Sequence, residues 1–156
     1  MIPKIGISEI NLQKSINILT VILSDEMTLY IKTRKFHWNV AGESFMELHK
    51  LFESQYKELE FIIDEVAERI GKLGHQAPGS MNEFIKHSIL KENAKQNNNS
   101  KQLLTELLND HETLIIELRK NINATASNKD AGTADFFTGL LKQHETIAWI
   151  LRRYNH

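Results

Sequence analysis

Five side chains with metal-ligand chemistry fall close together in this chain: His37, His49, Glu53, Asp64 and Glu68. Imidazole nitrogens mixed with carboxylate oxygens suit iron, manganese or zinc. His49 and Glu53 are four residues apart, as are Asp64 and Glu68, so on a helix each pair shares a face. Glu53 and Asp64 are eleven apart, close to three full turns, and Glu60 lies on the same stripe. That interval spans about 16 Å along a helix axis, whereas metal–ligand bonds are about 2.0–2.2 Å for these donors. The two pairs therefore cannot close on one ion within one chain. Two copies of the helix packed antiparallel about a two-fold axis remove the conflict. His49 and Glu53 of one copy then face Asp64 and Glu68 of the other, and the site appears twice per dimer. His37 precedes a break at Gly42, and a tight hairpin there brings it beside His49. The alternative is that the acidic stripe is a solvated helix face and the histidines are caps or surface residues.

The elements that must carry these residues are helices. Ser8 is an N-cap candidate, and Leu12, Ile16, Leu19, Leu23, Met27 and Tyr30 follow at helical spacing. This first helix is predicted to run to about Val40. Ser44 and Glu47 form a capping-box pattern that starts a second helix with Leu48, Phe52, Leu59, Ile62, Ile63, Val66 and Ile70, ending near Gly71–Gly74. Pro78–Gly79 is a turn, and Ser80 with Glu83 forms a second capping box opening a short helix over Met81–Leu90. The polar, asparagine-rich run Lys91–Lys101 is predicted as a loop. Leu103, Leu107, Leu114, Leu118 and Ile122 mark a third long helix; a loop with Asn128, Lys129, Asp130 and Gly132 follows. Phe136, Phe137, Leu140, Leu141, Ile147, Ile150, Leu151 and Tyr154 mark the last helix, and Trp149 is expected in the core. The pattern is all-α: a four-helix bundle with a short extra helix between the second and third, in one domain over 1–156.

Composition narrows the function classes. The chain has 156 residues, 41% hydrophobic and 25% charged, enough for one domain with a sizeable core. With no cysteine, disulfides, thiolate metal sites and cysteine nucleophiles are excluded. A net charge of -1 gives no global positive field toward nucleic acid. The longest apolar run, near Ile16–Leu23, is too short to span a bilayer, and no signal-peptide pattern is read at the N-terminus; a cytoplasmic protein is the expectation. Di-iron sites inside a single bundle use Glu-x-x-His pairs. Here Arg34, Met46, Lys72, Phe84, Leu108, Leu141 and Arg153 stand three residues before the seven histidines, which disfavours such a site. His75, His87, His111, His144 and His156 are left to surface or packing positions.

Two extended motifs carry a resemblance. The first is His37-Trp38-Asn39-Val40-Ala41-Gly42, then after five residues Leu48-His49, and after three more Glu53. The second is Ile63-Asp64-Glu65-Val66-Ala67-Glu68-Arg69, followed by Leu73-Gly74 and Ala77. With these motifs, the short middle helix and a last helix ending in Trp149-Ile150-Leu151-Arg152, the chain resembles the Dps family, the DNA-binding proteins from starved cells, which are ferritin-like mini-ferritins. The resemblance implies a hollow dodecamer with ferroxidase centres at two-fold interfaces: His37, His49 and Glu53 from one subunit, Asp64 and Glu68 from its mate. It implies oxidation of Fe(II), preferentially by hydrogen peroxide, and storage of the ferric mineral, with zinc or manganese as other occupants of the site. Position in the family also assigns Asp130 and Asp135 to an acidic iron-entry pore, with a helix-cap role as the alternative. Trp38 either quenches stray oxidising equivalents or packs at the interface. The family more often has aspartate where this chain has Glu53. Many relatives bind DNA through a lysine-rich tail, whereas this chain offers Lys4 before the first helix and Arg152–Arg153 at its end. DNA binding is therefore expected to be weak or absent. A nucleoid-compacting DNA-binding protein and a purely structural helical oligomer are the competing readings.

Overall fold

In a computed structural model of the chain, residues 3–92 and 99–155 are described. They form α1 (Glu9–Asn39), α2 (Phe45–Lys72), α3 (Met81–His87), α4 (Ser100–Ser127) and α5 (Ala131–Tyr154), with no strand among the described residues. α1 packs chiefly on α2 and α4 chiefly on α5, and α1 also meets α3 and α4. The α1–α2 hairpin is antiparallel, since Tyr30 meets Tyr56, Phe36 meets Phe52 and His37 meets His49. The four-helix bundle with a short intervening helix thus stands as the sequence implied.

The apolar stripes predicted from spacing are the core. Leu12, Ile16, Leu19, Leu23, Phe52, Leu59, Ile62, Val66, Ile70, Leu103, Leu107, Leu114, Leu118, Phe137, Leu140 and Leu151 are all buried in one cluster. Ser8 caps α1 by accepting from the Asn11 N–H, and the Ser80–Glu83 capping box is fully formed at α3.

Several boundaries differ, for long-range reasons. The predicted capping box at α2 does not form. Ser44 makes no side-chain cap bond, and Glu47 instead accepts from the Tyr154 hydroxyl at 2.7 Å. α3 ends at His87, short of Leu90, because the next residues turn onto α1: Asp25 Oδ1 accepts from the Ser88 hydroxyl at 2.7 Å and from the Ile89 and Leu90 N–H groups at 2.8 and 3.1 Å. α4 begins inside the predicted loop, with Asn99 accepting from the Lys101 and Gln102 N–H groups; residues 93–98 of that loop lie outside the described residues. The turn into α5 is shorter than predicted, Lys129 taking a positive φ of 62°. Trp149, expected in the core, is 55% exposed: it lies on the outer side of α5, whose buried face is set by Leu140, His144, Ile147 and Leu151.

Candidate metal centre

The α1–α2 hairpin brings His37 and His49 into contact. His37 stands in the last turn of α1 and His49 in the second turn of α2. Gly42 between them has φ of +106°, a conformation that glycine reaches without the Cβ penalty. The imidazole rings stack with centroids 3.8 Å apart. Each ring bonds the other's backbone: His37 Nδ1 lies 2.8 Å from the His49 carbonyl, and His49 Nδ1 lies 2.8 Å from the His37 carbonyl. A carbonyl only accepts, so each Nδ1 carries the proton and donates it. Each Nε2 is left with a bare lone pair, the form in which a neutral imidazole binds a metal. The Phe45 ring packs at 5.1 Å from the His49 ring, and Tyr56 stands edge-on to His37 at 5.2 Å.

Glu53 lies one turn beyond His49, and its Oε1 is 2.5 Å from Lys57 Nζ. The Lys57 hydrogen bond, followed by its charge, holds the Glu53 carboxyl below the usual carboxylate range, with smaller contributions from His37 and His49. The carboxylate is thus ionised, while its oxygen is engaged by an ammonium. Lys57 is a participant that ligand-type reasoning passed over, although its i+4 position relative to Glu53 was visible in the sequence.

Asp64 and Glu68 do not join this group within the chain. Both are exposed on α2, and Glu68 Oε2 pairs with Lys72 Nζ at 3.2 Å. Among the described residues no three metal-ligating side chains of a single chain could hold an ion. The chain thus brings His37 and His49 together, keeps Glu53 next to them, and leaves Asp64 and Glu68 several turns away on an outward face. Lys57, Glu60, Phe61, Ile63, Asp64 and Ala67 line an open hollow on that face, and Phe61 is exposed there.

Around the site, the Arg34 guanidinium lies over Tyr56 at 4.3 Å and over Trp38 at 5.6 Å, and its Nη1 donates to the Tyr30 hydroxyl at 2.6 Å. Trp38 is 64% exposed in the single chain.

Asp130 and Asp135, the two candidates for an entry pore, stand in different surroundings. Asp130 is 1% exposed and is the N-cap of α5. Its Oδ1 accepts from the Thr133 N–H at 3.0 Å and from Arg69 Nη2 at 2.9 Å, and its Oδ2 accepts from the Thr133 hydroxyl at 2.6 Å. In the single chain Asp130 takes the helix-cap role that stood as the alternative to the pore, and Arg69 of α2 draws its carboxylate inward. Asp135, one turn on, is exposed.

Known proteins resemble this chain in sequence and in fold. The ferritin-like domain family matches residues 16–156. A low temperature-induced protein of Nostoc sp. is 41% identical over 96% of this chain and 84% of its own length. DNA protection during starvation protein 2 of Bacillus anthracis is 32% identical over 89% of this chain and 94% of its own. The crystal structure of a Dps protein from Vibrio cholerae, described as a member of the ferritin-like diiron-carboxylate proteins, superposes with a TM-score of 0.94 at 28% identity, covering 100% of this chain and 98% of that one. Helix order, hairpin histidines and these matches together make the chain a member of the Dps family of ferritin-like proteins.

Proposed function

We propose that this protein is an iron-storing ferroxidase whose centres form between subunits. His37, His49 and Glu53 of one subunit and Asp64 and Glu68 of its two-fold mate would hold Fe(II), the substrate. Family membership supports iron storage and oxidative protection. The observation that carries the reading here is the reciprocal bonding of His37 and His49, which fixes both rings with Nε2 free. Two imidazoles locked in that tautomer are prepared for a cation. The outward Asp64 and Glu68 need a second copy to reach them.

The chemistry follows from electron counting. Hydrogen peroxide takes two electrons and two protons to give two waters, and one Fe(II) gives one electron. Two irons held together supply both and avoid release of a hydroxyl radical. The carboxylates balance the rise in charge as each iron goes from Fe(II) to Fe(III), and the backbone carbonyls hold the imidazoles in place. Iron would displace Lys57 from Glu53 and Lys72 from Glu68, exchanging one cation for another. Zinc and manganese suit the same donor set. The ferric product would be stored inside a hollow dodecamer, with Asp135 lining an entry pore and Asp130 anchoring the helix that presents it. We place the protein in the cytoplasm; no helix among the described residues is long and apolar enough to cross a membrane. DNA binding is weak or absent on this reading, since a net charge of -1 leaves few phosphate contacts, which salt screens. No retarded band is expected in a gel shift at physiological salt.

The test is Fe(II) loading without oxygen, followed by peroxide, with particle size measured alongside. Fast oxidation by a particle much larger than a dimer is expected, slowed in the double variant His37→Ala, His49→Ala without loss of the shell. Absence of fast oxidation, or a particle no larger than a dimer, refutes the proposal.

A further inference from the structure

The centre of the bundle holds three titratable groups that the metal centre does not use. Glu26 of α1, His144 of α5 and His111 of α4 are each wholly buried. Glu26 Oε1 lies 2.8 Å from His144 Nε2, and His144 Nδ1 lies 2.9 Å from His111 Nδ1. This chain of contacts ties both helices of the second hairpin to α1. Buried polar atoms are almost always paired, yet Glu26 Oε2 and His111 Nε2 have no partner, and neither amide atom of buried Gln55 has one. Gln55 sits at the same level. Arg69 of α2 pairs with Asp130 at the start of α5; Gln55 lies 69 − 55 = 14 residues from that pair and His144 lies 144 − 130 = 14, each about 21 Å along antiparallel helices.

The protons on this chain can be counted. An ionised carboxylate accepts, so His144 donates its Nε2–H to Glu26. Between two Nδ1 atoms 2.9 Å apart there is room for one proton. With both imidazoles neutral, the pair carries two protons. A third is accommodated with the bridging proton on His144 and the new one on His111 Nε2. A fourth would place protons on both Nδ1 atoms, face to face, and break the contact. Once unfolded, the two imidazoles hold four. We propose that the Glu26–His144–His111 chain is an acid-sensitive latch, which gives way because the folded bundle takes up one proton fewer than the unfolded chain. A single metal ion is a poorer reading: the two nitrogens of His144 face different neighbours, so no one ion reaches Glu26 and His111 together.

The sign follows from linkage. Below about pH 6.5 the unfolded state binds more protons, so stability falls as pH falls, by up to about tenfold in the unfolding constant per pH unit. Burial, with the charge of His144 second, holds the His111 imidazole well below 6.5, so its contribution is complete above that value and is lost on acidification. The charged groups nearby are otherwise engaged. Lys32 of α1 pairs with Glu106 and Asp110 of α4, Asp25 faces Ser88 and the Ile89 and Leu90 amides, and the buried face of α2 carries no charge. Burial raises the carboxyls of Asp25 and Asp110, which favours the fold on acidification and works against the latch.

Urea unfolding of the full assembled protein, wild type against His111→Asn, isolates the latch. Asparagine places an amide where Nδ1 stands and does not titrate. Between about pH 7.5 and about pH 5.5 the unfolding constant of the wild type is expected to rise about tenfold more than that of the variant; equal pH dependence within about twofold overturns the proposal. Should His111→Asn fail to assemble, hydrogen exchange of the wild type decides. Corrected for intrinsic rates, α4 around His111 and α5 around His144 should lose protection on acidification before α2 does, and uniform loss or none overturns it. Zn(II) that stabilises the His37→Ala, His49→Ala variant, but not once His111→Asn is added, would make the chain a metal site and also overturn it.

Discussion

If each centre draws its histidines from one subunit and Asp64 and Glu68 from the mate, two dead variants should rescue each other. Subunits carrying His37→Ala and His49→Ala supply a defective imidazole half to one site and an intact carboxylate half to the other. Subunits carrying Asp64→Asn and Glu68→Gln lack the carboxylate half. Each is inactive alone. In a two-fold pair with one of each kind, one site combines both defects and the other combines two intact halves, because an isologous interface uses the same patch twice. Random equal mixing makes about half of the pairs mixed, and one of their two sites is whole, so about a quarter of wild-type activity returns. Asp64 and Glu68 are exposed, and Glu68 pairs with the exposed Lys72, so their replacement should not disturb the bundle. The assay is the initial rate of Fe(II) oxidation by peroxide, measured on particles purified through two different tags after co-expression. A mixture no more active than either parent refutes the shared site, provided particle size shows assembly.

Three further outcomes follow from the contacts around the site. Asp130→Ala removes the α5 cap and leaves Arg69, which is partly buried, without its carboxylate; a loss of about 2–4 kcal/mol in urea unfolding is expected, and a loss below about 1 kcal/mol would show that Arg69 finds another partner. Lys57→Met removes the ammonium that competes for Glu53, so Zn(II) should bind about two- to fivefold tighter by titration calorimetry, the scale of an exposed pair; unchanged or weaker binding would mean that Lys57 does not occupy the ligand position. The Ser80 hydroxyl, with the Ser80 and Gly79 N–H groups, holds the Glu83 carboxyl below 4.5. The cap of α3 is therefore complete above that value and lost as pH falls through the folded value, so amide exchange in α3 should rise at acid pH and should already be raised at neutral pH in Ser80→Ala.

Periodicity located the helices because burial of an apolar stripe is a local pattern: Leu12, Ile16, Leu19 and Leu23 announce α1 within a few turns, and all are buried. The shared faces of His49 with Glu53 and of Asp64 with Glu68 were legible for the same reason, since an i, i+4 spacing fixes a face before any tertiary contact is known. What sequence could not give was decided by partners far along the chain. The short length of α3 depends on Asp25, more than 60 positions earlier. The inward turn of Asp130 depends on Arg69, also some 60 positions away. Trp149 sits among apolar residues in sequence yet outside the arc that α5 buries. His111 and His144, which spacing left to surface or packing positions, meet only because the second hairpin brings α4 and α5 side by side at that level.

The two histidine pairs differ in a way that bears on their roles. His37 and His49 each spend Nδ1 on a backbone carbonyl, so their protons are fixed by atoms that cannot titrate, and both Nε2 atoms stay available near the surface. His111 and His144 spend Nδ1 on each other, so the proton between them is shared by two groups that both titrate, in a core without solvent. The first arrangement fixes which nitrogen of each ring is left to face a cation. The second makes the number of bound protons depend on whether the helices stay together. Both arise from antiparallel hairpins bringing histidines of adjacent helices together. What separates a metal-ready pair from a proton-sensitive one is whether the backbone or a second imidazole receives the Nδ1 proton.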